Sequence, residues 1–324
     1  MNKNLMSTIN ELFQSGVKIK KKVFILSEKS KYENQQQTND AFSDKWKKYE
    51  KENLSEKEYF YEFQKKWYLE LYGFSSEKDL KSYLSDKKVI LDAGCGLGYK
   101  AKWFADLSPN SLVVGMDYSE ATFLAAENYH DTPNLVFVKN DIANTNIKNN
   151  SVDYVSCDQV LHHTESPQKT LIEFSRILKP GSELAVYVYA KKALPRELID
   201  DYFRVKSKII SKDEMWKFSE QLTELGKCLS EIKIDIEVPD VTLLGIKGGK
   251  MDLQRFIYWN FLKCFWSEKL GKQTSISTNF DWYSPSNAFR YDKNEFEQLL
   301  KNSNFDVKSY HTEEACHSGR FVKI

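Results

Sequence analysis

Residues Val89 to Tyr99 read Val-Ile-Leu-Asp-Ala-Gly-Cys-Gly-Leu-Gly-Tyr, an acid and three alternate glycines directly after an apolar run. The run suits a strand buried on both faces. The spacing Gly94-x-Gly96-x-Gly98 suits a turn whose backbone approaches a ligand closely. Lys100 to Leu107 then reads as a helix, whose start offers free N–H groups and a partial positive charge. Together these elements make a nucleotide-type ligand site. Two common versions are disfavoured. A dinucleotide binder wants glycine where Tyr99 stands. A phosphate loop needs Gly-Lys-Ser/Thr, which is missing.

Further acids and histidines follow in order. Asp117 closes the apolar run Leu112–Met116, and Asp141 follows Leu135–Val138. Asp158, Gln159, His162 and His163 follow Val152–Cys157. Each has two readings. Asp117 is a ligand acid at a strand end or a helix N-terminal acid before Ser119. Asp141 is a ligand acceptor or a turn-forming Asx residue. His162 and His163 are general bases or loop histidines packed against a ligand.

The elements that must hold these groups alternate from residue 87 onward. Strands are expected at Val89–Ala93, Leu112–Met116, Leu135–Val138, Val152–Cys157 and Glu183–Tyr189. Helices are expected at Lys100–Leu107, Glu120–Tyr129 and Gln168–Leu178. Ser119 is the expected N-cap of the second helix, and Lys179-Pro-Gly-Ser182 a turn ending the third. The alternation implies a parallel sheet covered on both faces, with ligands at the strands' carboxyl ends. Upstream, Asn34-Gln-Gln-Gln-Thr-Asn39 reads as a loop, and Glu56–Tyr72 and Ser76–Leu84 as helices. The rhythm breaks at Lys191. Residues 191 to about 285 read as mostly helical with no clear strand run, an insertion placed over the sheet as a lid. A helix at Lys293–Ser303 and strands near Phe305–His311 and Arg320–Ile324 complete the sheet. Residues 1–85 would cover the site, 86–190 form the binding core, and 286–324 return to it.

Composition excludes several classes. Lys plus Arg number 47 against 46 Asp plus Glu, a balance that gives no pull toward nucleic acid or acidic membrane. The basic run Lys18–Lys22 reads as a solvated patch. The five cysteines are scattered without Cys-x-x-Cys, against a disulfide framework, a zinc ribbon or an iron–sulfur loop. No apolar run reaches the roughly 18 residues of a membrane span. Met1 to Leu5 lack a signal-peptide core. The reading is a soluble, reducing, cytoplasmic protein with no metal expected.

The ordered set resembles the class I S-adenosylmethionine-dependent methyltransferases, of a small-molecule, bacterial-like subgroup. Ile90, Leu91, Asp92, Gly94, Gly96 and Gly98 carry the first motif. Val113-Val-Gly-Met-Asp117 resembles the second strand, Lys139-Asn-Asp141-Ile142 the adenine loop, and Asp153–Gln159 with Leu161-His-His163 the fourth strand and its loop. Arg176-Ile-Leu-Lys-Pro-Gly181 resembles the turn before strand five. The resemblance implies a doubly wound α/β Rossmann-like sheet, mostly parallel with an antiparallel last strand, carrying N-terminal helices and a helical lid inserted after strand five. It implies S-adenosylmethionine as methyl donor and S-adenosylhomocysteine as product.

The resemblance also assigns roles. Asp117, beside Tyr118, would hold the ribose hydroxyls, and Asp141 the adenine amine, with Ile142 and Met116 sandwiching the ring. The turn Gly94–Gly98 would meet the methionine part. Asp92 would order that turn, and Cys95 contribute backbone. Asp158 and Gln159 would meet the amino group. Methyl transfer from a sulfonium needs positioning above all, and a base only when the acceptor carries a proton. His163 and His162 are the base candidates.

Two charged stretches after strand five complete the candidates. In Arg196–Arg204, the residues Arg196, Asp200 and Arg204 share a helix face, as do Glu197, Asp201 and Arg204. Surface ion pairing and substrate contact are both open for this helix. The stretch resembles a feature of the same subgroup, as does Asp281-Trp-Tyr-Ser-Pro285. The aromatics Phe256, Tyr258, Trp259, Phe261, Phe265 and Trp266 would pack as core or line an acceptor pocket. The acceptor is expected to be a small molecule. The amine-holding Asn/Asp-Pro-Pro-Tyr/Phe loop of base methylation is absent, as Asp158-Gln-Val-Leu-His stands there. RNA, protein, or binding without turnover are the alternatives.

Overall fold

The computed structural model describes residues 9, 11–14, 18–50 and 54–324; the expectation for Met1–Leu5 falls outside them. Five apolar runs form adjacent parallel strands because both faces of each are buried. They are β3 (Val89–Ala93), β4 (Leu112–Asp117), β5 (Leu135–Lys139), β6 (Val152–Cys157) and β7 (Leu178–Ala190). Leu91, Val114 and Val136 pack on one face with Leu171, Phe174 and Phe296. Ile90, Val113, Phe137 and Tyr154 pack on the other with Tyr68, Leu84 and Phe104. Alternation of side chains along each strand separates the two cores.

The terminal strands β11 (Phe305–Thr312) and β12 (Cys316–Lys323) extend the sheet, with β12 antiparallel to β7. The opposite edge carries a hairpin that the pattern upstream of residue 54 had not suggested. Strands β1 (Lys18–Lys20) and β2 (Val23–Ile25) flank a turn at Lys21 and Lys22, and β2 runs parallel to β5. The basic run is exposed, as a solvated patch would be. The sheet order is β1-β2-β5-β4-β3-β6-β7-β12-β11, and its reversal of direction at β3 places a ligand crevice at the strands' carboxyl ends. The α/β class, the parallel core and the antiparallel last strand are as expected.

Several local expectations need correction. Asn34–Asn39 is not a loop but the start of helix α1 (Glu33–Tyr49). Its polar residues are turned inward: Gln37 bonds the carbonyl of Ser284 at 2.8 Å, and Thr38 accepts the Asn287 N–H at 3.1 Å. Helices α2 (Leu54–Leu71) and α3 (Glu77–Leu84) match, and the Ser76 hydroxyl caps α3 through Asp79 N–H. Helix α4 is Tyr99–Leu107 and α5 is Ala121–Asn128. Glu120, not Ser119, is the N-cap of α5, although the Ser119 hydroxyl still accepts the Ala121 N–H. Helix α6 (Pro167–Ile177) ends before Lys179-Pro-Gly-Ser182. That stretch is an irregularity inside β7, since Val152 faces Leu178 and Tyr154 faces Glu183.

Residues 191–285 are inserted between β7 and a short strand, β10 (Arg290–Tyr291), that pairs with it. They hold α7 (Leu194–Ser207), α8 (Lys212–Glu231), α9 (Leu253–Asn260) and α10 (Gly271–Tyr283). They also hold an antiparallel hairpin, β8 (Asp235–Val238) with β9 (Gly249–Asp252), so the expectation of no strand fails there. Its strands are four residues long and largely exposed, too short and too polar for an alternating signal. After it, α11 spans Lys293–Lys301.

The insert is held by buried charge. Arg196 and Asp200 are wholly buried and bonded at 2.7 Å. Asp200 also accepts Trp282 Nε1–H and Tyr283 O–H, each at 2.7 Å, and Arg204 reaches the Pro285 carbonyl at 3.0 Å. The charged stretch of α7 and Asp281–Pro285 therefore meet. Neither surface pairing nor substrate contact describes this face; it is an internal joint. The other face pairs Glu197 and Asp201 with Arg290. Asp200→Ala should cost about 3–5 kcal/mol by stranding the Arg196 charge. Asp201→Ala, removing a half-exposed pair, should cost about 1 kcal/mol or less. Urea unfolding followed by tryptophan fluorescence compares the two; equal losses would refute the joint.

Candidate functional site

The turn after β3 is strapped to β4 by its own backbone. Gly94 and Cys95 N–H both bond the Met116 carbonyl, at 2.7 and 3.1 Å. Asp117 completes the strap, one carboxylate oxygen taking Gly96 N–H at 2.9 Å and the other Ser119 N–H at 2.7 Å. The helix-start reading of Asp117 is thus realised, and the same carboxylate also orders the turn. A side chain at Gly94 (φ +80°) would collide with Val160, and at Gly96 a Cβ would lie 3.0 Å from the Trp46 ring. Gly98, in the left-handed region, starts α4 and faces Phe137 rather than the crevice.

A cavity of about 360 Å³ runs from this turn into the insert. Of the expected site residues, Gly94, Cys95, Asp117, Tyr118, Asp141, Ile142, Asp158, Gln159 and His163 line it. Asp92, Gly96, Gly98, Met116 and His162 do not. The Met116 side chain lies in the core on one sheet face, so it cannot sandwich a ring with Ile142; Tyr118 is the aromatic ring on that side of the cavity. Asp141 accepts the Ala143 N–H at 2.8 Å, the geometry of an Asx turn, and burial raises its pKa.

Asp92 is buried beneath the turn with Oδ2 lacking a hydrogen-bond partner. Desolvation pushes its pKa up to about 7, against the pull of Lys100. The Cys95 and Cys157 thiols are raised well above their ordinary value, chiefly by burial, and all five cysteines are free.

The sequence reading missed several wall residues. The Lys100 ammonium is buried in an ion pair with Asp158, whose other oxygen accepts the Tyr72 hydroxyl at 2.7 Å. Burial alone would lower the Lys100 pKa, but Asp158, Tyr99 and Asp92 hold it above the usual range. A lysine in the first turn of an otherwise buried helix was the available signal, because the dipole there favours acids. The α1 side chains Gln35, Thr38, Phe42, Lys45, Trp46 and Tyr49 form another wall at helical spacing. Lys45 pairs with Asp281 at 2.5 Å, and both line the cavity. Of the insert aromatics, Tyr258, Trp259 and Phe265 line the cavity, while Phe256 and Phe261 pack with Ala193 and Val238.

His163 sits against Phe42 with ring centroids 4.9 Å apart, and its Nδ1 lies 2.7 Å from the Asn287 carbonyl. A carbonyl only accepts, so Nδ1 carries the proton and Nε2 a lone pair. Burial drives its pKa down to about 3, assisted by the Arg204 and Lys45 charges. His162 is enclosed by Tyr187, Tyr189 and His163, its pKa also driven down by burial. At the hairpin of β11 and β12, His311, Glu313 and Cys316 bring three ligand atoms within 4.8 Å of one another, but none lines the cavity.

Residues 91–186 match the family described as methyltransferase domain. The chain is 36% identical over 99 residues to the uncharacterized chloroplastic methyltransferase At1g78140 of Arabidopsis thaliana, covering 28% of each. It is 31% identical over 117 residues to the sterol 24-C-methyltransferase of Schizosaccharomyces pombe, covering 35% of this chain and 29% of that one. It is 34% identical over 120 residues to the tRNA U34 carboxymethyltransferase of Campylobacter fetus, covering 35% and 41%. The chain thus spans well under half the length of these relatives. A solved S-adenosylmethionine-dependent methyltransferase from Aquifex aeolicus aligns over 79% of this chain and 92% of its own, at 14% identity and a TM-score of 0.41. Among the described residues no helix is long and apolar enough to cross a membrane.

The His163 environment has a measurable consequence. The unfolded chain protonates this ring below its ordinary 6.5, the folded protein only near 3, so unfolding takes up a proton between those values. Its contribution is complete above about pH 6.5 and is lost as pH falls. Relative to His163→Asn, the native protein should lose about 2 kcal/mol between pH 6.5 and 5, read by urea unfolding. A constant gap would contradict a neutral buried ring. With its parallel strands and strapped glycine turn, the segment 91–186 is similar to a methyltransferase domain.

Proposed function

We propose that the protein is an S-adenosylmethionine-dependent methyltransferase of a small-molecule acceptor, working mainly by positioning. The observation that carries this is the single cavity joining the turn to the ring-lined insert. The residues present fit the cofactor. Gly94 leaves bare backbone at the cavity wall, with no room for a side chain. The Asp117 carboxylate uses two of its roughly four lone-pair sites on backbone N–H groups, which leaves acceptors for two ribose hydroxyls. Lys100 and Asp158 offer a buried cation and anion to a zwitterionic amino-acid end. Tyr118, Asp141 and Ile142 would hold the adenine. When bound, the cofactor supplies a methyl group on a positively charged sulfur.

The chain's own residues would do the rest. The helix α1 and residues 191–285 would act as cover and lid, excluding water and holding the acceptor in line. Holding two reactants near contact distance, roughly 3–3.5 Å, removes much of the barrier. His163 would orient rather than remove a proton. Its Nδ1 proton is committed to Asn287, and a ring with so little proton affinity is a weak base at neutral pH. His162 lies behind it, off the cavity.

The relatives act, by their names, on a sterol and on tRNA, and the segment that matches the family carries the glycine turn. The acceptor must therefore be argued from the other walls. A cavity closed by α1 and the insert favours a small molecule over a folded RNA, and the near-zero net charge adds no pull toward nucleic acid. S-adenosylmethionine and S-adenosylhomocysteine should each raise the melting temperature, and Asp117→Ala should abolish the rise. No shift with intact protein sinks the cofactor assignment. Incubation of cell extract with methyl-labelled cofactor should label small metabolites; label confined to RNA overturns the acceptor class.

A further inference from the structure

The charges lining the cavity are segregated. Five cationic side chains line it, Lys45, Lys100, Lys192, Arg255 and Lys263, and four acids, Asp117, Asp141, Asp158 and Asp281. Two ion pairs, Lys100–Asp158 and Lys45–Asp281, take one of each twice. The remaining acids, Asp117 and Asp141, stand at the ends of β4 and β5. The remaining cations, Lys192, Arg255 and Lys263, all stand at the insert end. No carboxylate among the described residues forms an ion pair with any of those three.

Lys263 is enclosed, and Lys192 is half-buried. Lys263 is 6% exposed, and its ammonium bonds only the Tyr258 hydroxyl at 3.0 Å. The Lys192 ammonium bonds the carbonyls of Ala190 at 2.5 Å and Ala315 at 3.3 Å. The nearest acids are spoken for: Glu197 pairs with Arg290 at 2.6 Å, and Asp281 with Lys45. Both ammonium groups flank the same ring, Lys192 at 5.7 Å and Lys263 at 4.7 Å from the Trp282 centroid. Burial and the neighbouring Arg196 and Lys263 charges push the Lys192 pKa down to about 7. Buried charges are ordinarily paired, and two like charges beside one ring raise the cost of leaving them so.

Aromatic rings in a cavity often take a cationic ligand. Here their faces are occupied by the protein's own cations. Lys192 lies 5.6 Å from the Trp259 centroid, Lys263 5.1 Å from Tyr258, and Arg255 5.7 Å from Phe265. A cationic acceptor would meet three like charges. An anion would supply the missing counter-charge, and the ring edges between the cations would hold an apolar or planar body.

We infer that Lys192 and Lys263, with Arg255 at the rim, form an anion subsite that selects an acceptor carrying a carboxylate or phosphate on a planar apolar body. This rests on the cavity being the acceptor site of the proposed methyltransferase, but its test does not require turnover. Three probes differing in one group are 4-hydroxybenzoate, 4-hydroxyphenyl phosphate and the neutral 4-hydroxybenzamide. Each is titrated into the full-length protein, with and without S-adenosylhomocysteine, and followed by tryptophan fluorescence and calorimetry. At least one anion should bind saturably, with the amide about tenfold weaker or worse. The better anion identifies the acidic group. Lys192→Met with Lys263→Met should erase that preference while the melting shift with S-adenosylhomocysteine persists. Equal binding of the amide, no anion binding, or a double variant that keeps the preference would overturn the subsite. If the double variant does not fold, the comparison of probes on the intact protein decides alone. Loss of the S-adenosylhomocysteine shift with anion preference intact would instead count against the cofactor assignment and leave the subsite standing.

Discussion

The constraint that organises this molecule is that a charge taken out of water must find an opposite one. Three such pairings join segments far apart in the chain. Lys100 with Asp158 ties the helix after the glycine turn to the loop after β6. Lys45 with Asp281 ties the N-terminal helix to the last helix of the insert. Arg196 with Asp200, capped by Trp282 and Tyr283, ties the first helix of the insert to that same last helix. Breaking any one leaves a largely buried charge without its partner. Desolvation makes such pairs weak sources of net stability and strong enforcers of arrangement. They fix where the N-terminal helix and the insert lie against the sheet, and so they fix the cavity between them.

How much of this could be read beforehand depended on whether a residue's local pattern matched its tertiary surroundings. The five parallel strands were legible because burial on both faces leaves an apolar run with sharp ends. The glycine turn was legible because positive φ and close packing both demand glycine there. Gln35, Thr38 and Asn39 misled because polar residues facing an internal cavity look like polar residues facing water. The hairpin of β8 and β9 was hidden by its exposure. Lys100 was hidden for the opposite reason: its buried partner, Asp158, lies 58 residues away.

The family match ends before the insert begins. The matched segment, 91–186, ends inside β7 and contains the strapped turn, Asp117, Asp141 and Asp158. Lys192, Arg255, Lys263 and Trp282 all lie beyond it, and the α1 wall lies before it. The groups proposed to meet the donor thus lie inside the matched segment. The parts facing the other end of the cavity lie outside it, so their charge and shape are the basis for an argument about the acceptor.

Strand order turns that division into a gradient. Read across the carboxyl edge of the sheet, β5 presents Asp141, β4 presents Asp117, β3 presents the glycine turn, and β6 presents Asp158 locked to Lys100. β7, next in line, ends at Ala190 and delivers Lys192 two residues later. The edge therefore passes from acceptor groups for hydroxyls and amines, through bare backbone, to a matched ion pair, and then to uncompensated positive charge. An adenosine, a sulfur chain and an amino-acid head call for the first three in that sequence. The fourth has no use in such a donor. Because β6 and β7 are adjacent, it falls beside the amino-acid end, within the cavity that the donor would share. A second molecule bearing negative charge would complete the gradient, and the parallel sheet, by fixing the strand ends side by side, would set its acidic group and the donor's sulfur at a constant separation.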